Sequence, residues 1–274
     1  MTQKLREHYP IYQICLTFNL SRTSFYDQKK TQINRNHLQL KSHVIEIFED
    51  SRGSAGSRTI CAHLRNRGIH VGRYKIRSLM KAAHLRSKQP PRHRYKKAMQ
   101  HHVRIENKLN RQFNPVRRNQ VWTGDITYVW IGRWIYLAVV LDLYKRCVMG
   151  VAMSTRADSE LVSRALTMAV QLGRAPQGVM FHSDQGCQYT SESFRKVLAR
   201  YQIEQSMSRR ANCWDNAPTE RLFRSYKSEW LPKSGYRSYQ EAVKDAYQYF
   251  LGYYNHQRPH SYNAGLPPAV AEGR

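Results

Sequence analysis

The chain has 274 residues, of which 41% are hydrophobic, enough for one domain with a sizeable buried core and one small accessory domain. Its 45 Lys and Arg residues exceed its 19 Asp and Glu residues, and the formal net charge of +26 implies a polyanionic partner. No apolar run reaches the roughly 18 residues that a membrane-spanning helix needs, which removes most support for a membrane role.

The amino terminus lacks the charged-then-apolar pattern of a secretory signal, so we expect a cytoplasmic protein in a reducing compartment. The five cysteines, at positions 15, 61, 147, 187 and 213, form no C-x-x-C pair and have no paired histidines nearby at zinc-ligand spacing. We expect them to be ordinary core or loop residues without disulfides.

Residues 1–38 could form a small helix-turn-helix fragment. Two short apolar pieces flank the turn-like Asn19-Leu20-Ser21, and Ser21 can cap the second piece. The second predicted unit, residues 39–86, has a clearer pattern of three helices and is interpreted as a helix-turn-helix-like DNA-binding domain. In it, Ser57 is expected to cap the middle helix and Gly68 to end it.

The third helix of that unit has its apolar residues on one face and a row of cations elsewhere. Arg73, Lys75 and Arg77 belong to this row, as expected for a helix that enters a DNA groove. A basic helix face that only meets water explains the same pattern about equally well.

Residues 87–118 are predicted to be a basic linker. From Arg86 to Arg118 the chain holds eleven Lys or Arg residues and one Glu, with little apolar periodicity. A flexible spacer is the simpler interpretation, but a run of one charge sign repels itself unless an anion lies alongside, so we favour phosphate contact. The candidates are Lys96, Lys97, Arg117 and Arg118.

Residues 119–232 are predicted to form an α/β core. Three strands rich in β-branched and aromatic residues come first, followed by helix, strand, helix, strand and helix, with Asp158 and Ser191 as helix caps. Residues 233–274 are predicted to be a helical extension. Its aromatic stripe, Tyr247, Phe250 and Tyr254, favours a core role over a base-stacking platform.

Three carboxylates in this core form the candidate catalytic site. Asp125 lies within the first strand, on the face that Thr123 and Thr127 share. Asp184 ends a later strand, where α/β sheets often expose functional groups. Glu220 lies in the first turns of a helix that begins near Asn216, a residue expected to act as an Asx cap.

A hard divalent cation would relieve the repulsion among three converging carboxylates, and ligation by oxygen alone suits magnesium or manganese. Two such ions about 4 Å apart would support an in-line displacement at phosphorus. Each carboxylate taken singly has a structural explanation, such as a turn contact or an ion pair between Glu220 and Arg224. Their joint occurrence in a strongly basic chain favours the catalytic interpretation.

Other polar residues of the core have competing interpretations. Asp142 is the strongest rival carboxylate and is interpreted as structural, bonding its turn to Arg146. His182 is expected to be a hydrogen-bonded strand-end histidine rather than a catalytic group. The predicted phosphate contacts near the metals are Asn216, Arg224 and Lys227, because they share the start or the face of the Glu220 helix.

Several long motifs in order make the chain resemble a known family. These are VWTGDITYVW with YLAVVLDLYKR, then HSDQGCQYTS, DNAPTERLFRSYKSEW and YYNHQRPHS. They resemble the second-frame transposases of insertion-sequence family three, within the retroviral-integrase superfamily, over about residues 40–272. Two departures are Arg221, where a serine commonly follows the glutamate, and Ser54-Ala55-Gly56, where a tyrosine-containing turn is usual.

The resemblance implies an RNase H-like core behind an all-α helix-turn-helix domain, with Asp125, Asp184 and Glu220 as catalytic and metal-binding triad. It implies two Mg²⁺ ions, which Mn²⁺ could replace, and cleavage and strand transfer at the element's DNA ends. The expected partners are double-stranded DNA of terminal repeats and target, further copies of the chain, and an upstream-frame protein as fusion or partner, in a bacterial nucleoid. A non-catalytic DNA-binding regulator and a plain RNase H-like nuclease stay as alternatives.

Overall fold

The computed structural model describes most of the chain, namely residues 9–23, 35–88, 105–174, 176–209 and 213–273. The chain divides into two compact units, Met1–Glu46 and Ile47–Arg274. Lys96 and Lys97 of the predicted linker lie outside the described residues, as does most of the second half of the predicted amino-terminal fragment.

The amino-terminal unit contains helix α1, Ile11–Thr17, which buries Ile14 and Cys15. Asn19 follows it in a left-handed conformation, as the turn-like sequence predicts. Helix α2, Arg35–Asp50, runs across the boundary between the two units.

Two short helices follow in the second unit: α3, Ser57–Asn66, and α4, Arg73–Ala82. Their predicted apolar residues are buried, and Gly68 follows α3 with a positive φ of 78°. The predicted cap of α3 is wrong. Ser57 is its first helical residue, and the cap position belongs to Gly56, which has no side chain to offer.

A sheet of five strands organises the described part of the second unit, in the order β3-β2-β1-β4-β5. The strands are β1 Val121–Trp130, β2 Trp134–Asp142, β3 Cys147–Ser154, β4 Met180–Ser183 and β5 Glu204–Met207. The first three are antiparallel, as expected for strands joined by short turns, and β4 and β5 run parallel to β1. The mixed sheet with flanking helices confirms the predicted α/β fold.

Helices lie on both faces of the sheet. Three helices connect the later strands: α5 Ser159–Leu172, α6 Cys187–Thr190 and α7 Glu192–Arg200. Both predicted caps are confirmed, because Asp158 accepts a hydrogen bond from the Leu161 N–H and Ser191 accepts one from the Phe194 N–H. Helix α5 packs on the face that contains Trp122, whereas Val121 points to the other face.

That other face is covered by the carboxy-terminal helices. A 3₁₀ turn, Cys213–Asn216, leads into α8, Ala217–Ser225, which ends in a π-helical turn, Tyr226–Trp230. Then come α9 Tyr239–Tyr247, the π-helical segment Gln248–Tyr254, the 3₁₀ turn Ser261–Asn263 and α10 Pro268–Glu272. The predicted aromatic stripe is confirmed as core, since Phe250 is fully buried and Tyr254 nearly so. No helix in the described ranges has the length and apolar character needed to cross a membrane.

Candidate active site

The register of two neighbouring strands brings two of the predicted carboxylates together. Strands β1 and β4 are adjacent and parallel, with Thr123 opposite His182. Asp125 lies two residues further along, in the middle of β1, and Asp184 lies two residues further along, directly after the end of β4. Burial and the charge of Asp184 raise the pKa of Asp125, so the two carboxylates are close to each other. Parallel pairing thus juxtaposes two residues that are 59 positions apart in the sequence.

Glu220 approaches the pair from helix α8. The helix lies on the face of the sheet that Thr123 and Asp125 share, because the Thr123 Oγ1 is 2.7 Å from the Thr219 Oγ1. Glu220 is the next residue along α8, in its first turn. Its negative charge contributes to raising the pKa of Asp125, which places the third carboxylate within electrostatic reach of the first.

The pKa values of both aspartates are raised, and that of Asp125 is raised strongly. Burial and the neighbouring charge of Asp184 raise its pKa well above the usual range, although the Ile126 N–H donates a 2.7 Å hydrogen bond to its Oδ1. Burial also raises the pKa of Asp184, against a 3.0 Å bond from the Gly186 N–H. Because the Asp184 side chain is still reached by solvent at the sheet edge, we take its rise to be the smaller one.

The donor chemistry of the site fits a hard divalent cation. All three side chains offer carboxylate oxygens, and besides burial the negative charges of Asp184 and Glu220 contribute to the raised pKa of Asp125. Among the described residues, no three or more His, Cys, Asp and Glu side chains are arranged so that they could hold a metal ion as they stand. The fit therefore rests on electrostatics and ligand type.

Asn216 has a different part from the one that the sequence predicts. It is 4% exposed, and its side chain caps no backbone N–H of α8. Its Nδ2 donates to the Gly124 carbonyl at 3.2 Å, and its Oδ1 accepts from the Thr219 Oγ1 at 3.1 Å. Both ends of the amide are thus engaged inside the protein, which corrects the expected Asx cap.

These bonds form a buried chain from helix to strand, which we call the α8–β1 clamp: Asn216, Thr219 and Thr123. Thr219 and Thr123 are fully buried. Since the Thr219 hydroxyl donates to Asn216, the Thr123 hydroxyl donates to Thr219. Through Asn216 the clamp joins Thr219, the residue before Glu220, to the carbonyl of Gly124, the residue before Asp125. It therefore sets the position of one carboxylate relative to the other.

The two predicted cations of α8 are present at its surface. Arg224 is exposed. Lys227 directs its Nζ over the ring of Tyr128, 4.3 Å from the centroid. Burial lowers the pKa of Lys227, while the charge of Asp125 acts in the opposite direction, so its ammonium lies within electrostatic reach of Asp125.

Tyr189 is a neighbour of the site that the sequence does not single out. Its side chain is 2% exposed and packs against Phe181 and Phe194. Burial raises its pKa, and the charges of Asp125 and Asp184 raise it further. The phenol is therefore held neutral beside both aspartates. In the sequence, only the position of Tyr189 shortly after Asp184 could have indicated that its side chain lies beside the site.

The rival residues are structural, as predicted. Asp142 is fully buried, and its two oxygens accept from the Asn119 and Tyr144 N–H groups at 2.7 and 2.9 Å. The expected bond to Arg146 is wrong, because that guanidinium donates to the Leu143 carbonyl instead. His182 is buried between two serine hydroxyls, and burial lowers its pKa to about 4.

Asp215 is a buried carboxylate that the sequence analysis does not single out, and it lies in the turn that leads into α8. Asp215 is fully buried and accepts from Arg209, Arg111 and Asn107. Burial alone would raise its pKa, but the hydrogen bonds from the two arginines lower it on balance. Part of the predicted basic linker is thus bound to the core by an ion pair.

The remaining DNA-binding candidates belong to α4 and to the segment just before β1. Lys75 and Arg77 are exposed on α4, and Arg73 is half-buried with its guanidinium 5.6 Å from the Tyr74 ring. Arg117 is exposed, and Arg118 lies 3.6 Å from Glu272. Lys75, Arg77 and Arg117 are thus open to solvent.

Comparison with known proteins gives consistent similarities. Residues 115–213 and 201–268 match models described as "Integrase core domain", and residues 35–93 match one described as "HTH-like domain". The chain is 34% identical to the "Insertion element IS600 uncharacterized 31 kDa protein" of Shigella sonnei, covering 94% of this chain and 96% of that protein. It is 30% identical to "Transposase InsF for insertion sequence IS3A" of Escherichia coli K12, covering 99% and 97%.

A solved structure with partial similarity is that of the HTLV-2 integrase catalytic core domain in complex with magnesium. It is 17% identical and covers 57% of this chain and 98% of its own, with a TM-score of 0.40.

Proposed function

Because the chain belongs to the IS3 family of transposases, with an integrase core and an HTH-like domain, we propose that Asp125, Asp184 and Glu220 are its catalytic carboxylates. Membership makes the chain a DDE polynucleotidyl transferase that binds DNA and acts in transposition. The observation that supports the residue assignment is that the charges of Asp184 and Glu220 both act on Asp125, with Asp184 placed directly after the strand that runs parallel to β1.

The carboxylates are proposed to hold two Mg²⁺ ions, with Mn²⁺ as a substitute. When bound, such ions supply activation of the attacking oxygen and stabilisation of the leaving oxygen in an in-line displacement at phosphorus. Asp125 and Asp184 stand side by side to share the charge, and Glu220 completes the set from above the sheet. Since the three are not arranged to hold an ion as they stand, a rearrangement of these side chains on binding is part of the proposal.

The other residues near the site would position the substrate. Lys227 and Arg224 present positive charge on the face of α8 next to the carboxylates, where they would contact the phosphates on either side of the scissile bond. Direct attack by the freed 3′-hydroxyl on another strand requires no covalent protein–DNA intermediate. Hydrolysis and strand transfer would therefore use one site.

We further propose the partners of the reaction. The DNA would be the element's terminal repeats and a target duplex, contacted by Arg73, Lys75, Arg77, Arg117 and Arg118. Joining two ends calls for more than one copy of the chain, and an upstream-frame protein is proposed as fusion or partner. The basic linker, with Lys96 and Lys97, would add phosphate contacts that weaken with salt.

The assay for this proposal uses the full chain, labelled terminal-repeat DNA and magnesium. We expect nicked and strand-joined products, both abolished by a chelator and restored by Mg²⁺ or Mn²⁺. Hydrolysis without joining would instead support the plain nuclease. Binding without either product would support a regulator.

The α8–β1 clamp gives a sharper prediction. Thr219→Val removes the hydroxyl that links Asn216 to Thr123, and it leaves two buried polar groups without their partner. We expect a loss of stability of about 1–3 kcal/mol and roughly a 10- to 100-fold slower cleavage, because Glu220 is no longer held against Asp125. Thermal melting and single-turnover cleavage measure the two effects.

Thr219→Ser is the matched control, since it keeps the hydroxyl and loses only a methyl group. It should cleave within a few-fold of the unmodified chain. If Thr219→Val cleaves normally at a temperature where it is fully folded, the clamp does not position Glu220.

A further inference from the structure

Three large aromatic side chains are exposed together at the end of the β1–β2 hairpin, and we call them the aromatic patch: Tyr128, Trp130 and Trp134. They are 48%, 51% and 51% exposed. The Trp134 ring meets both others edge-on, with centroids 4.9 Å from Tyr128 and 4.8 Å from Trp130. The rings therefore form one continuous apolar surface rather than three scattered side chains.

The patch lies further along β1 from the candidate active site. Tyr128 follows Asp125 by three residues, about 10 Å along the strand, and the alternation of side chains places it on the opposite face of the sheet. The Lys227 ammonium lies 4.3 Å from the centre of the Tyr128 ring and also senses the charge of Asp125. One cation thus lies near both Asp125 and the first ring of the patch.

Packing of the hairpin does not account for this surface. Trp130 and Trp134 are directly paired across the two strands, and such a pair stabilises a hairpin modestly. Tyr128 lies outside that pair, and none of the three belongs to a buried core cluster. About half of each side chain still faces solvent, which leaves the ring surfaces available to a ligand.

The positive charge around the patch indicates which kind of ligand it would bind. Its cations are Lys227 beside Tyr128 and the exposed Arg133 in the hairpin turn, on a chain with a net charge of +26. Aromatic faces interleaved with cations suit unpaired nucleobases joined by phosphates. A second copy of this basic chain fits this charge less well.

We propose that the aromatic patch stacks on unpaired bases of the DNA strand that carries the scissile phosphate, next to the carboxylate site. This rests on the proposed function, because the strand must pass the carboxylates. Unpairing bases costs energy, and stacking on Trp134 and Tyr128 returns part of it. The patch would hold the opened end so that its phosphate stays at the carboxylates.

The test uses the full chain and a forked oligonucleotide duplex whose unpaired arm carries 2-aminopurine, in buffer without divalent cation. Stacking quenches this base, so we expect wild-type protein to lower its fluorescence and Trp134→Ala to lower it much less. Affinity for the fork should fall about 5- to 100-fold in that variant, the loss expected for one stacked base. Trp134→Phe keeps a ring and should retain most of the quenching.

A second arm of the experiment removes the base instead of the ring. A fork with abasic sites in its arm should bind wild-type protein more weakly, and Trp134→Ala should then lower the affinity less than about twofold further. An equal loss on intact and abasic arms overturns the proposal. So does loss of self-association in Trp134→Ala with unchanged fork binding.

Neither misfolding of the Trp134→Ala variant nor cleavage of the DNA prevents this experiment from testing the proposal. If Trp134→Ala fails to fold, wild-type protein decides the matter alone, because abasic arms that bind as well as intact ones overturn the proposal. No strand is cleaved in the assay. Failure of the carboxylate assignment would appear as normal joining by carboxylate variants, whatever the quenching shows.

Discussion

Asp125→Asn, Asp184→Asn and Glu220→Gln are each expected to lower both cleavage and strand joining by on the order of a thousandfold or more. Each change keeps the side-chain shape and removes one negative charge from the set proposed to hold the cations. Both reactions should fall together because they are proposed to use one site. Single-turnover assays with labelled DNA ends would measure each step separately.

The same variants should keep DNA affinity and stability, which separates loss of chemistry from loss of fold. Asp125 carries a raised pKa, so its charge opposes folding, and this cost grows as the pH rises above the ordinary Asp value of about 4. Asp125→Asn should therefore melt at the same or a higher temperature near neutral pH, with a weaker pH dependence. Stability and activity would then change in opposite directions.

Asp142→Asn is the matched control, because it removes a buried carboxylate of the same sheet. Its amide accepts poorly at one of the two backbone N–H groups that Asp142 bonds, so it should lower the melting temperature and leave turnover per folded molecule nearly unchanged. Normal joining by any one of the three carboxylate variants would contradict the assignment.

Arg258→Leu is expected to give the largest loss of stability, about 3 kcal/mol in the free energy of unfolding. The guanidinium donates to both oxygens of Glu229, at 2.7 and 2.6 Å, and the two side chains are only 19% and 22% exposed. Removing the cation leaves a largely buried carboxylate without its partner. Denaturant unfolding measures the loss.

This pair also bears on the active site. Glu229 belongs to the π-helical turn that continues α8, and Arg258 follows the aromatic segment Gln248–Tyr254. The pair therefore secures the far end of the helix that carries Glu220, so cleavage should slow in the same variant. The guanidinium of Arg258 is engaged within the protein.

Arg258→Leu combined with Glu229→Leu provides the control. With both charges removed, no buried ion is left alone, and the double variant should recover a substantial part of the lost stability. A single variant that unfolds within about 0.5 kcal/mol of the unmodified chain would show that the pair contributes little. DNA binding lost without any change of stability would instead support a direct DNA contact by Arg258.

Local patterns explain why much of the fold follows from the sequence. Alternating β-branched residues define β1 to β3, and the caps at Asp158 and Ser191 mark two helix starts, because these features depend only on neighbours in the chain. The cap predicted at Ser57 fails for a related reason. A shift of one residue at a helix boundary is enough to change which side chain can reach the free N–H groups.

The sequence by itself determines the residue types of the site: three carboxylates in motifs that resemble one family, in a chain whose charge requires a polyanion. It does not determine which polar side chains are turned inward. The sequence suggests that Asn216 contacts phosphate, whereas in the structure its amide is hydrogen-bonded to Gly124 and Thr219. The sequence predicts only that Tyr128 lies in a strand, whereas in the structure its ring also contacts Lys227. Those outcomes depend on strand register and on where α8 rests on the sheet. Both are set by packing between residues about 90 to 100 positions apart, so only the tertiary structure decides them.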